Sequence, residues 1–316
     1  MRSGIFLAGL FIAALFYPLI FPNLLSIAIY FLLLAGWATS WDILGGWAGQ
    51  VSLGHAAFVG VGSYALAILA GRYGIAPWWG ALAGMALSAA LAWVWGLVTF
   101  RLRGPYFTLS TIAIAEILRL VAIEEAWLTQ GAEGIFIFSL KSPFGFDLFD
   151  RQVEYYTALL YLAAVVGLVA WLARGKLGYQ MRAVREDENS SQAAGIDPTR
   201  IKLIAFMLSG ALTALGGAIY GVYLSYLEPH DIFFLPLSVQ IALTAIIGGR
   251  GTPFGPLAGA FLLVVAAEVF RNAFAEANLL IYGVLIVLVV IFLPRGLIGS
   301  WQHRAVRRRY ARSARG

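Results

Sequence analysis

The sequence predicts an all-α integral membrane protein of about ten transmembrane helices, one or two of them broken or re-entrant, with both termini cytoplasmic. Three observations lead there. Of 316 residues, 61% are hydrophobic and only 12% charged, with a mean hydropathy of +0.82, whereas soluble domains carry ~25% charged residues. The apolar residues run on without interruption over stretches of roughly 20, the length that crosses a bilayer as a helix. They do not alternate with polar ones as the strands of a membrane barrel do. Finally, the charge is segregated: 13 of the 22 Lys and Arg lie in two segments, Arg174 to Lys202 and Arg295 to Arg315, which the positive-inside rule assigns to the cytoplasm. With no Cys and three scattered His (His55, His230, His303), no metal site and no catalytic residues are expected, so the chain does not read as an enzyme.

The spans follow in order. Residues 5–21 come after Arg2 and superficially resemble a signal peptide. They lack a clear small-residue cleavage site and lead directly into a second apolar run, so they are read as a helix. The next runs are 24–43, 52–71, 77–100 and 104–123, the third ending at the basic pair Arg101 and Arg103. The connection from Glu124 to Glu154 is acidic (Glu124, Glu125, Glu133, Asp147, Asp150, Glu154 against Lys141 and Arg151) and belongs outside. After it come 154–173, the basic connection 174–202, then 203–227, 232–248, 254–273 and 279–294. Starting inside at Arg2, ten crossings satisfy every charge assignment. The domain organisation is one membrane domain over 1–300, with the cytoplasmic loop 174–202 inside it, and a basic cytoplasmic tail over 301–316. That tail is read as touching anionic membrane lipid and not nucleic acid.

Two stretches, 45–71 and 232–260, are rich in Gly and Pro and are the candidates for breaks. In the first, Gly45, Gly46, Gly49, Gly54, Gly60 and Gly62 are interleaved with Gln50, Ser52 and His55. Polar, glycine-rich backbone at membrane depth requires cover from protein or a water-filled cavity. Gln50, Ser52 and His55 therefore either line the interior or belong to a packing face that hydrogen-bonds neighbouring helices. The span after Arg103 offers Tyr106, Thr108, Ser110 and Thr111 in its inner half. Glu116 and Arg119 sit three apart on one face of it, either as a functional intramembrane pair or as an ion pair snorkelling to the outer interface. An echo of Arg103-Gly104-Pro105-Tyr106-Phe107 with Glu116 and Arg119 recurs as Arg250-Gly251-Thr252-Pro253-Phe254 with Glu268 and Arg271, a hint of parallel internal repetition.

No phosphate loop of the G-x-x-x-x-G-K-[ST] type and no acid or base series is present to drive transport. Energy, if used, must come from a partner, and the loop, either a docking element or a solvated loop helix, is where such a partner would bind. Gly195 fits a helix C-terminus and Pro198 a stop beyond it, predicting a helix of about four turns over 179–195 with Arg182, Arg185 and Asn189 on one face.

The run Gly45-Gly46-Trp47-Ala48-Gly49-Gln50-Val51-Ser52-Leu53-Gly54-His55-Ala56-Ala57-Phe58 resembles the G-x-x-G-Q-x-S-L-G-H-A-A-F signature of LivM-type permease subunits of branched-chain amino acid ABC transporters. Arg101 to Phe107, Leu128 to Gly134, Arg182 to Glu188 continuing to Ile196, and Pro294 to Leu297 agree in order. Departures fall at Glu133 and at Ser190-Ser191-Gln192. The resemblance implies an importer subunit in the bacterial inner membrane, paired with a LivH-like second permease, two cytoplasmic ATPase subunits and a periplasmic binding protein. It holds no cofactor of its own, since ATP and Mg bind the ATPases. The resemblance also implies that the loop helix is the ATPase-coupling helix, with Arg182, Arg185, Glu186, Asn189, Ala193 and Gly195 as its candidate residues. Gln50, Ser52, His55, Phe58, Tyr106, Thr108 and Glu116 are then the candidates for the translocation path. Urea or short-chain amides are the alternative cargo within the family, and a self-sufficient secondary transporter is the alternative outside it.

Overall fold

A computed structural model of the chain describes residues 14–102, 104–137, 140, 147–273 and 283. The apolar run at 279–294 apart from residue 283, the tail 301–316 and the start of the first run lie outside these, although residues 14–20 are helical. The long helices are α1 (Leu25–Asp42), α2 (His55–Leu66), α3 (Pro77–Thr99), α4 (Pro105–Glu124) and α5 (Arg151–Arg174). Two short helices, α6 (Lys176–Glu186) and α7 (Glu188–Ala193), precede α8 (Pro198–Leu224), α9 (Leu235–Gly248) and α10 (Gly255–Ala273). Among the described residues six helical segments are long and apolar enough to cross a membrane: Pro22–Trp47, Pro77–Thr99, Pro105–Glu124, Arg151–Arg174, Pro198–Leu224 and Pro229–Gly248. One departure from an all-α chain is a two-residue antiparallel ladder, β1 (Ile135–Phe136) with β2 (Tyr226–Leu227).

Helix starts follow their sequence signals. Pro77, Pro105 and Pro198 occupy the first turn, where the missing N–H costs nothing. Asp150 caps α5 by accepting from the Gln152 amide, and Asp197 caps α8 by accepting from the Thr199 and Arg200 amides.

The core is built on α1 and α8. The α1 segment is 67% buried, against 22% for α4, and from Leu32 to Ala48 every residue is buried. A helix that is apolar all round belongs at the centre. Helix α8 packs on α1, α2 and α3, and α1 also packs on α5, α9 and α10. Small residues set these approaches, since packing must replace the hydrophobic effect in lipid. A Cβ on Gly62 of α2 would lie 1.9 Å from the Ala214 carbonyl oxygen of α8, and one on Gly217 of α8 would lie 2.3 Å from the Val59 carbonyl oxygen. Gly84 brings α3 onto the same spot, 3.0 Å from the Gly62 Cα by the same construction.

Both glycine-rich stretches are broken. Helix α1 continues as a π-helical turn over Ile43–Trp47, and residues 48–54 are non-helical before α2 begins at His55. The helix therefore starts three residues later than the run predicted at 52–71, and α2 closes in a second π-helical turn, Ala67–Arg72. In the other stretch a one-turn helix (Pro229–Ile232) precedes α9, and Gly249 and Gly251 take positive φ before α10. At ~1.5 Å per residue, neither the 12 residues of α2 nor the 14 of α9 spans a core of ~30 Å alone.

Candidate functional site

The broken segment raises a question of hydrogen bonds, because residues 48–54 leave the helical ladder while Ala48, Ser52 and Gly54 are buried. Neighbouring side chains supply the partners. Thr108 Oγ1 of α4 donates to the Val51 carbonyl (2.8 Å), and the Leu53 amide donates to Thr111 Oγ1 (3.0 Å). Trp41 Nε1 of α1 donates to the Ser52 carbonyl (2.7 Å). The Gly54 amide donates to Ser52 Oγ (3.3 Å), and the Ala56 amide to Ser238 Oγ of α9 (2.8 Å). Three helices thus hold the break, and the inner-half hydroxyls of α4 serve it directly.

Ser52 and His55 sit inside this scaffold with no exposed surface. His55 Nε2 lies 2.8 Å from Ser209 Oγ, and Nδ1 lies 3.2 Å from Ser52 Oγ. Ser209 Oγ spends its proton on the Ser40 carbonyl (2.7 Å), so it accepts from His55. That assigns the proton to Nε2 and makes Nδ1 an acceptor for the Ser52 hydroxyl. The relay Ser52–His55–Ser209–Ser40 therefore stitches α2, α8 and α1 together in the buried interior. Phe58 is equally buried, and its ring centroid is 5.4 Å from that of His55, 5.5 Å from Phe206 and 5.6 Å from Trp95. These three predicted site residues form one packed unit. Gln50 lies at its rim, half-buried, its amide donating to the Leu44 carbonyl (3.0 Å).

The α4 candidates divide by face. Thr108 and Thr111 turn inward to the break, whereas Tyr106 is 68% exposed. Glu116, about 80° round the helix from Tyr106, is half-exposed and paired with Arg119, whose Nε donates to Oε2 at 2.9 Å. Arg119 Nη1 also meets His230 Nδ1 at 2.8 Å, linking α4 to the short helix before α9. The sequence echo of this pair, Glu268 and Arg271, also forms an ion pair three residues apart, at 2.8 Å.

The predicted four-turn helix over 179–195 is two helices. The chain turns extended at Asp187 (φ −159°, ψ 118°), where its carboxylate caps α7 by accepting from the Ser190 amide. That hydrogen bond holds the Asp187 carboxyl below the usual carboxylate range. Competition between a capping Asp and helix continuation is the reason for the break, and the acidic run Glu186-Asp187-Glu188 hides it from the eye.

Helix α6 buries Gly178, Met181 and Val184 against the membrane helices. Two arginines beside that face also reach the membrane helices, Arg182 half-buried and Arg185 with its side chain 35% exposed. Arg185 Nη1 donates to the Gly46 carbonyl at 2.9 Å, and Nη2 donates to Glu186 Oε1 at 2.7 Å. The Arg182 guanidinium lies 5.4 Å from the Trp47 ring centroid and 4.6 Å from that of Tyr179. Glu186, Asn189, Ala193 and Gly195 are exposed, Gly195 with φ +80° past the end of α7. Lys202, counted among the basic loop residues, is buried and paired with Glu188.

Asp42 is a site residue that the sequence analysis above does not name. Its carboxylate is buried at the end of α1 and accepts the Gly251 amide on both oxygens, at 2.9 and 3.0 Å. An acid inside an apolar span beside Gly45-Gly46 was the available signal. Ser209 and Ser238 gave none, because a lone serine in an apolar helix usually bonds its own preceding turn.

Residues 23–290 match the family described as the permease component of branched-chain amino acid transport systems. The chain is 31% identical over 281 residues to the high-affinity branched-chain amino acid transport system permease protein LivM of Salmonella typhimurium, covering 81% of this chain and 65% of that one. It is 29% identical over 280 residues to LivM of Escherichia coli, with the same coverage. A probable LivH permease of Methanocaldococcus jannaschii is 24% identical over 264 residues, 77% of this chain and 81% of its own. The chain thus spans 65% of the length of the two LivM relatives. No solved structure matches it.

Proposed function

Because the chain belongs to the family of branched-chain amino acid transport system permease components, we propose that it forms half of the membrane path of an ABC importer for branched-chain or related hydrophobic amino acids. The observation that carries the reading is the family match across 23–290, which takes in the broken segment, α4 and the loop helices together. In the proposal the second half is a LivH-like permease, two cytoplasmic ATPase subunits bind ATP and Mg, and a periplasmic binding protein delivers the ligand. The chain resides in the inner membrane with about ten crossings and both termini inside. That orientation puts α6 and α7 in the cytoplasm and the β1–β2 ladder outside.

The roles of the residues follow from their placement. The exposed side of α4, with Tyr106 and Glu116, faces the path. Gln50 stands at the rim of the break, and Ser52, His55, Phe58 and Thr108 hold the break in the form described above. A path needs weak, transient contacts, and hydroxyl and amide groups provide these to a zwitterion; tight capture belongs to the binding protein. Glu186, Asn189, Ala193 and Gly195 form the exposed face that meets the ATPase. ATP acts by favouring one conformation of the assembly over another.

The test is reconstitution of the chain with its second permease, ATPases and binding protein in vesicles. The expected result is ATP-dependent accumulation of labelled leucine, displaced by isoleucine and valine. Accumulation of labelled urea in place of leucine would redirect the substrate, and uptake by the chain alone on an ion gradient would overturn the importer reading.

A further inference from the structure

Four segments converge where α6 touches the membrane helices. Gly46, in the π-helical turn, is enclosed: a Cβ there would fall 1.8 Å from Asp42 Oδ1 and 2.5 Å from the Gly251 amide nitrogen. Its carbonyl takes the Arg185 guanidinium, as the free carbonyls at a helix C-terminus favour a cation. Gly49, with φ +77°, lets the chain pass beneath the same side chain, its Cβ position 2.7 Å from Arg185 Cγ. Gly251 approaches from the α9–α10 turn, its Cβ position 2.7 Å from Arg185 Nη1. Trp47, next in the chain, lies under Arg182. Glu186 holds the far side of the Arg185 guanidinium, with Nε at 3.3 Å and Nη2 at 2.7 Å, so the group is fixed between its own helix and the break.

We infer that Arg185 is a positioning residue that acts inward: it ties the loop helix to the Gly46 carbonyl and so passes movement of that helix to the broken segment 48–54, instead of reading the ATPase surface. This rests on the importer reading above. The chain of contacts is continuous. A displacement of α6 by more than about the slack of one hydrogen bond either breaks the Arg185–Gly46 contact or carries Gly46 with it. Gly46, Trp47 and Ala48 are buried, so a pull on the Gly46 carbonyl is passed on through packed neighbours. The break beyond is hydrogen-bonded through Val51 and Leu53 to Thr108 and Thr111. Movement therefore arrives at α4, whose opposite face carries Tyr106 and whose flank carries Glu116. Asp42, gripping the Gly251 amide beside Gly46, adds the α9–α10 turn to the same joint.

The test compares wild type, Arg185→Ala and Arg185→Lys in the complete assembly in vesicles, reading ATPase-subunit content, ATP hydrolysis and leucine uptake separately. Arg185→Ala is expected to keep its ATPase subunits and to hydrolyse ATP, while uptake per ATP falls roughly tenfold or more. Arg185→Lys, which can still reach a carbonyl as a point charge, recovers a large part of that ratio. Loss of ATPase subunits from Arg185→Ala, or an unchanged uptake-to-hydrolysis ratio, overturns the inference. A second measurement needs no variant: hydrogen exchange over 44–54 in the wild-type assembly changes when ATP is added. An assembly that takes up leucine while those amides stay unchanged also overturns it. Failure of the wild-type assembly to use ATP for uptake is a different result, and it counts against the importer reading alone.

Discussion

A methyl group on Gly62 tests how α2, α3 and α8 are held together. In Gly62→Ala the added carbon would sit 1.9 Å from the Ala214 carbonyl oxygen, 2.6 Å from its carbon and 2.8 Å from the Ala214 Cα. All three are backbone atoms of α8, so no side chain can swing aside. Ordinary contact begins near 3.4 Å, which leaves the helices to part by about 1.5 Å along that line in an interior packed like a crystal. Parting them also strips the neighbouring approach of Gly217 to Val59 and of Gly84 to Gly62. Overpacking of this kind costs about 1–3 kcal/mol, partly offset by the better helix propensity of Ala, about 1 kcal/mol in water. The internal control is Gly167→Ala on α5, where a Cβ meets nothing within 4 Å and the propensity gain stands alone. Thermal unfolding of the two variants in detergent, followed by size-exclusion of a fluorescent fusion, should place Gly62→Ala several degrees below wild type and Gly167→Ala at or above it. Equal melting temperatures for the two variants would refute the view that glycine contacts set the spacing of these helices.

Three further outcomes are expected. Thr111→Val leaves the Leu53 amide without its acceptor and should cost about 1–3 kcal/mol in the same thermal assay, while Thr111→Ser stays near wild type; equal loss in both would assign the effect to packing. Because the chain has no Cys, single cysteines report topology cleanly. A membrane-impermeant maleimide should label Ala132→Cys in intact cells and Ala193→Cys only in inverted vesicles, and the reverse pattern would invert the proposed orientation. The Asp187 carboxyl is held below its usual value by the Ser190 amide, so the cap contributes fully above the unfolded pKa of about 3.9 and is lost as pH falls through the lower folded value. Protection of the Ser190 amide, corrected for intrinsic exchange, should hold from neutral pH down to about pH 4 and drop only below it; a drop between pH 5 and 7 would contradict the assignment.

Much of the architecture is legible because lipid imposes simple demands. Apolar runs of fixed length gave the long helices, and Gly45 to Gly62 with its polar residues announced the break at 48–54. Glu116 and Arg119 were legible as a pair because spacing on one helix suffices. What sequence could not convey is direction across the fold. Arg182, Arg185 and Asn189 fall on one predicted face, yet the arginines meet Gly46 and Trp47 while Asn189 is exposed, since the chain breaks at Asp187 between them. His55 reads as a polar residue in a membrane segment, whether it lines a path or packs. Its burial depends on Ser209 and Phe206, more than 150 positions away.

The inward grip of α6 falls on a main-chain oxygen. A carbonyl is chemically the same whatever residue carries it, so what the contact demands of the membrane helices is the missing side chains of Gly46, Gly49 and Gly251, where a Cβ would meet Asp42 or Arg185. Asn189 and Ala193 are exposed beyond the break at Asp187, and on the proposed importer reading they are the part of the loop left to vary with an ATPase partner. Exchanging that outer face between related importers should retarget the subunit to a foreign motor while leaving its internal linkage untouched. That makes the loop a natural point for building chimaeras.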